Sequence, residues 1–309
     1  MSEVGDARGS ASLAQIAGTR SGSPPNLLLM IFGDYWIESA ESMPSAALVN
    51  LLADFGVTDA AARAALSRMV KRGLLTSTKT GRTTAYRATT RTQRILRAGS
   101  RRIAEFGDAG QSWPGLWSIV AFEIPERERS LRAAARIRLG WLGFAPLYDE
   151  VWICPHDRHE AAVTALSVLG LEATAFQAAF AESGIPTRMP QNAWNLAELA
   201  REYHTFIDRA EAALSALAAG RLDGVGAFIE RTRLLEGWLD LSARDPELPD
   251  SILPPGWPRA RSRDLLLRAH RELGALATSR VRSVVAAFDG SLVGVVESRT
   301  ADDWTRLAL

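Results

Sequence analysis

One cysteine, Cys154, and four histidines, His156, His159, His204 and His270, are all the soft metal ligands that 309 residues offer. A lone thiol excludes an intramolecular disulfide framework and a cysteine-rich metal centre, and it fits a reducing cytoplasm. His156 and His159 stand three apart beside Asp157, but zinc needs three or four converging ligands, so this corner reads as plain surface. No run approaches about 18 apolar residues, which excludes a transmembrane helix. The Gly-, Ser-, Ala- and Pro-rich stretch 1–25 lacks the apolar core of a signal peptide and reads as a disordered tail. Catalytic motifs are missing too. There is no Gly-x-Ser-x-Gly elbow and no Gly-rich phosphate loop before a helix, and Cys154 has only His156 nearby, without productive geometry. Glu123 and Glu126 lie among arginines and read as surface ion pairs. No catalytic residue, metal site or cofactor is expected.

Net charge is also scarce, at a formal +1, but this value hides a strong asymmetry. Between Thr58 and Arg102 stand twelve of the 36 Lys and Arg and one of the 35 Asp and Glu, so a segment of +11 is balanced by a remainder of −10. Such a concentration attracts a polyanion and releases its counterions on binding. Length suggests two or three domains.

Most of the basic segment lies within a region, 26–98, that reads as a winged helix-turn-helix. Asn26–Trp36 is apolar enough for a buried first helix. Met43–Phe55 reads as a second, stopped by Gly56, and Thr58 caps a third over Ala60–Arg72 with Asp59 at its positive end. At 100° per residue, Ala62, Ala65, Leu66, Met69 and Val70 share the core face of the third helix, while Ser67, Arg68 and Lys71 face outward with Arg63 and Arg72 on the flanks. Small Ala60 and Ala64 allow close approach to a groove. Gly73–Lys79 and Thr83–Arg87 read as strands joined at Thr80-Gly81-Arg82, with Lys79, Arg82 and Arg87 decorating the ribbon. The DNA-contacting set is therefore Arg63, Ser67, Arg68, Lys71, Arg72, Lys79, Arg82 and Arg87.

The run Phe55–Leu75, followed by Thr80-Gly-Arg82 and Ala85-Tyr-Arg87, resembles the winged helix of PaaX-type repressors. That resemblance implies control of phenylacetic acid degradation operons and response to an aryl-CoA thioester.

Arg97–Gln111 reads as a basic connector, giving a linker over 99–112. From 113 to 185 the order is strand (Trp113–Pro125), helix (Glu126–Leu139), two short strands (Gly143–Leu147 and Val151–Cys154), helix (His159–Leu169) and strand (Glu172–Phe180). This βαββαβ order is ferredoxin-like. Trp113-Pro-Gly-Leu-Trp117 and the Leu-Gly-Phe before Val151-Trp-Ile are similar to the PaaX middle domain, which is akin to a CRISPR-associated nuclease fold with an aspartate ending its first strand. Ala121-Phe-Glu-Ile-Pro125 has no aspartate there, which argues against a nuclease.

Residues 186–309 read as mainly helical, with helices over Pro190–Ala219 and Gly226–Ala243 and a hairpin over Ser283–Glu297 around Asp289-Gly290. Asp245–Trp257 resembles the family's proline-rich motif. A CoA thioester combines an apolar acyl end with phosphates, so Tyr203, Trp238 and Trp257 are candidate walls and Arg231 and Arg233 candidate phosphate ligands. The fold class is α+β. The expected molecule is a cytoplasmic, homodimeric repressor that binds double-stranded operator DNA, is released by an aryl-CoA thioester and has no membrane contact. An RNA-binding or nuclease-derived protein built on the ferredoxin-like region is the alternative, and an acyl-CoA enzyme a third reading.

Overall fold

The computed structural model describes residues 20–108, 113–124, 128–179 and 190–308. Most of the tail expected over 1–25, the end of the expected linker and the expected helix start at Glu126 lie outside them. The chain forms two compact units. One contains residues 20–108, 203–242 and 259–308, and the other residues 113–124, 128–179, 190–202 and 243–258. Helices and two small antiparallel sheets make a mixed α+β protein.

In the first unit, α1 (Pro24–Tyr35) opens with Pro in its first turn, where a missing N–H costs nothing, and Leu27 to Phe32 are all buried. β1 (Met43–Pro44), α2 (Ser45–Ala53) and α3 (Asp59–Lys71) follow. Gly56 takes φ 77° and ends α2, and Thr58 Oγ1 accepts the Ala61 N–H at the start of α3, a cap worth about 1 kcal/mol. The core face of α3 is the one the periodicity predicts: Ala62, Ala65, Leu66 and Met69 are buried. β2 (Leu75–Thr80) and β3 (Thr83–Ala88) form a hairpin whose Thr80 and Thr83 pair across the turn, and Pro44 of β1 pairs with Ala85. Gly81 carries φ 59°, as primed two-residue turns require.

Residues 97–105 continue as helix, unlike the connector read from their charge. They are the second half of α4 (Thr90–Glu105), which buries Ile95, Leu96, Gly99, Ser100 and Ile103 at helical spacing. Most of α7 (Leu196–Ala218) and α8 (Gly224–Arg244) lie in the same unit, with α9 (Arg259–Ala286) and α10 (Ala301–Ala308). The hairpin expected over 283–297 does not form. Val281, Val284 and Val285 extend the buried face of α9, and Asp289 caps a 3-10 turn over Gly290–Val295 by accepting the Ser291 N–H.

The second unit runs β4 (Trp117–Phe122), α5 (Arg129–Trp141), β5 (Ala145–Tyr148), β6 (Val151–Cys154), α6 (His159–Ser167) and β7 (Ala173–Ala178). Its sheet has the order β5-β6-β4-β7, antiparallel throughout. Val120, Phe122, Trp152 and Cys154 pack with Ala135, Leu139, Ala162 and Leu166 of the helices. Side-chain alternation sends Trp117, Leu147 and Ile153 into a second cluster, where Leu248 and Leu253 cover them and Trp117 stacks on Trp194 at 6.2 Å.

Candidate nucleic-acid interface

The structure places all eight sequence-predicted contact residues, Arg63, Ser67, Arg68, Lys71, Arg72, Lys79, Arg82 and Arg87, in exposed positions on α3, its carboxy-terminal cap and the β2–β3 hairpin. Packing explains this. The buried face of α3 is spent on Ala62, Ala65, Leu66 and Met69, so residues one and two steps around the helix are left in solvent. Beyond Leu75, every β2 residue is exposed, which leaves the strand without a hydrophobic face of its own.

The basic side chains of this surface engage acids little. Arg63 lies 3.5 Å from Asp59, both well exposed, a weak pair in water. Arg87 Nη1 donates to the Ala40 carbonyl and Arg91 Nη1 to the Arg72 carbonyl. Elsewhere in the unit, Arg209, Arg261, Arg268, Arg280 and Arg299 each sit within 3.0 Å of a carboxylate.

Behind the surface lies a buried polar group that sequence reasoning missed. Asp34, near the end of α1, receives Arg231 Nε at 2.7 Å and Nη2 at 2.9 Å. Arg231 also donates to the His270 carbonyl and, at 2.6 Å, to the Arg299 carbonyl. His270 Nε2 lies 3.3 Å from Asp34 Oδ1, and its ring centroid is 4.4 Å from that of Trp304. Burial resists the charge on Asp34, but Arg231 and His270 outweigh it and hold the carboxyl well below its ordinary range. Burial, reinforced by Arg231, pushes His270 down to about 4, so it is neutral at pH 7. Asp34 and Arg231 stand 197 positions apart in sequence, and no local pattern announces the pair.

The predicted effector residues are scattered. Tyr203 and Trp238 are fully buried, Trp238 against Phe106 at 4.8 Å and Phe206 at 5.9 Å between ring centroids. Arg231 is the buried partner of Asp34, with four of its N–H groups engaged, so its guanidinium is not available to a phosphate. Arg233 is partly exposed, 5.8 Å from the Phe55 ring centroid. Trp257 belongs to the other unit, half-buried in the Trp117 cluster.

In the second unit, Glu123 is exposed just past β4, and among the described residues no group of three His, Cys, Asp or Glu could hold a metal ion. Burial pushes the Cys154 thiol up to about 11, well away from a reactive thiolate. Among the described residues no helix is long and apolar enough to cross a membrane.

Three family models cover most of this architecture: PaaX-like protein over residues 24–92, PaaX protein central Cas2-like domain over 110–189, and PaaX-like protein C-terminal domain over 194–283. The chain belongs to the PaaX family. The transcriptional repressor PaaX of Escherichia coli strain K12 is 25% identical over 269 residues, which span 84% of this chain and 83% of the repressor. Among solved structures, the uncharacterised protein Rv0674 of Mycobacterium tuberculosis superposes with a TM-score of 0.58 at 23% identity, over 85% of this chain and 99% of that one. That likeness speaks to the fold alone. Within the PaaX match, α1, α2, α3 and the hairpin fall in the first segment and the four-stranded sheet in the second.

Proposed function

We propose that this PaaX-family protein is a transcriptional repressor that binds double-stranded operator DNA through a winged helix-turn-helix, with α3 as the recognition helix and the β2–β3 hairpin as the wing. The observation that carries this is the row of exposed basic side chains on α3 and the hairpin, in a unit where other arginines such as Arg209, Arg261 and Arg280 are held by carboxylates. Arg63, Ser67 and Arg68 address base edges, while Lys71, Arg72, Lys79, Arg82 and Arg87 address phosphates. The relative in Escherichia coli, a transcriptional repressor by name, supports the same reading.

The strand order β5-β6-β4-β7 with two helices on one face supports a ferredoxin-like middle domain. The family supports a regulator rather than an enzyme. It acts in the cytoplasm as a homodimer, whose two basic surfaces meet half-sites about 34–36 Å apart or a multiple of that. Its effector is an aryl-CoA thioester such as phenylacetyl-CoA, which binds the carboxy-terminal helices and releases the DNA. The RNA-binding alternative needs bases stacked on an open sheet face, yet Trp117 and Ile153 are covered by Leu248 and Leu253.

The deciding experiment is selection of bound fragments from genomic DNA by the purified protein, followed by titration of the selected duplex against single-stranded RNA of equal length. Selection of a dyad-related duplex bound more tightly than RNA is expected. Equal or tighter binding of the RNA defeats the proposal.

A further inference from the structure

Helix α4 carries a row of charge that neither the core nor, among the described residues, any acid uses. Arg91, Arg94, Arg97 and Arg101 are exposed, and at 100° per residue they fall within an arc of about 120°. Thr92, Ile95, Leu96, Gly99, Ser100 and Ile103 occupy the opposite, buried face, so packing fixes which way the arginines turn. The row spans eleven residues, a rise of about 15 Å at 1.5 Å per residue. The only acid in the helix is Glu105, at its far end.

Among the described residues, Arg94, Arg97 and Arg101 have no carboxylate and no hydrogen-bond acceptor in reach, whereas in the same unit arginines such as Arg209, Arg261 and Arg280 each hold a carboxylate within 3.0 Å. Like charges one helical turn apart repel, so such a row destabilises the free helix slightly and awaits an anion. Its position identifies which anion. Arg91 Nη1 donates to the carbonyl of Arg72, the carboxy-terminal cap of α3, at 3.3 Å. Thr89, the N-cap of α4, donates through Oγ1 to the Gly73 carbonyl at 2.9 Å. The row therefore begins where the basic surface of α3 ends. A duplex presents one negative charge per roughly 1.7 Å of axis, so a 15 Å row meets a continuous supply of phosphates.

We propose that the exposed face of α4 is a second, sequence-independent phosphate-binding surface for duplex DNA, continuous with α3 and the hairpin. This rests on the DNA-binding function proposed above. Guanidinium groups at this spacing bind backbone oxygens in fork geometry and carry no base information, so they set affinity and register rather than operator choice.

The test uses the full chain, a fluorescent random-sequence duplex of about three helical turns, roughly 30 base pairs, and a salt series. Three proteins are compared: the parent, R94A/R97A/R101A, and R94K/R97K/R101K, with thermal melts to establish that each is folded. The alanine triple variant should lower the slope of log affinity against log salt by about two to three, near 0.9 per lost phosphate contact. The lysine triple variant should keep the parent slope. A parent-like slope in the alanine variant, or an equal loss in the lysine variant, overturns the inference. Variants Lys71→Ala and Arg82→Ala separate the two claims. If they weaken binding while the alanine triple does not, only the α4 surface falls; if the parent binds no duplex at all, both fall.

Discussion

Arg231 on α8 closes a two-pronged hydrogen bond on Asp34 of α1, 2.7 and 2.9 Å long, with both side chains almost completely buried. A buried pair of this kind contributes little beyond an apolar replacement, but removing one partner strands the other charge at a cost of about 3–5 kcal/mol. Asp34→Asn and Arg231→Ala are each expected to lower the free energy of urea unfolding by that amount. Because Asp34 closes the helix that packs behind α3, both should also reduce DNA affinity without touching the basic surface. Urea midpoints within experimental error of the parent would show that the pair is not holding these helices together.

The same cluster sets a pH dependence. His270 is pushed down from 6.5 to about 4 in the folded protein, chiefly by burial, so the unfolded chain binds the extra proton first. Stability should therefore fall as pH drops through the window from about 6.5 to about 4, by at most about 1.4 kcal/mol per pH unit from this one group. Asp34, depressed below its ordinary 3.8, adds a further loss only below that pH. His270→Gln should flatten the upper window. Denaturation midpoints measured from pH 7 to 4 that do not move, or that move equally in the variant, contradict the assignment.

On the DNA surface, substitutions sort by what the side chain meets. Lys71→Ala and Arg82→Ala should weaken binding to every duplex and lower the salt slope by about one each. Arg63→Ala or Arg68→Ala should cost on the order of 1–3 kcal/mol and relax sequence preference where the guanidinium reads a guanine. Affinities for operator and random DNA that stay at the parent level in all four would remove α3 and the hairpin from the interface.

How much of this was legible in the sequence depends on the range of the forces involved. Thr58, Asp59 and the Ala62–Ala65–Leu66–Met69 face are local signals read through helix periodicity, and the α3 core face follows them. Charge misled the reading of Arg97–Glu105: its arginines hide Gly99, Ser100 and Ile103, whose burial makes the stretch helix. At Asp289-Gly290 a turn signal between valine runs resembled a hairpin. The helix begun at Arg259 already buries Val281, Val284 and Val285, and that packing outweighs β-propensity. Asp34, Arg231, His270 and Arg299 are an ordinary-looking set in sequence because only the fold brings them together.

Cleavage chemistry is expected to be absent. The first strand of the Cas2-like segment ends at Phe122 and is followed by the exposed carboxylate Glu123 rather than an aspartate. Incubation of duplex DNA and of RNA with magnesium or manganese should leave both intact. Metal-dependent degradation that disappears in Glu123→Gln would reverse this.

Release by the effector demands a difference in affinity between two arrangements of the protein, because a ligand bound equally by both shifts nothing, and a swing from mostly bound to mostly free takes about 5.5 kcal/mol of preference. An aryl-CoA thioester is large enough to supply that through apolar contact and phosphate pairing together, whereas the free acid has one carboxylate and CoA alone has no aryl group. The thioester should therefore lower operator affinity in a mobility-shift titration, with the free acid and CoA ineffective. Arg231 is a poor probe of this site, since its loss acts on Asp34 and on folding. Arg233 is the better one: it is partly exposed on the same helix and rests over Phe55 without a carboxylate partner among the described residues. Arg233→Ala should need several-fold more thioester for the same release while binding operator normally without it, and Arg233→Lys should recover part of the response. Release by the free acid, or by no member of a broad acyl-CoA panel, would rule out the thioester and leave the DNA-binding surface unaffected.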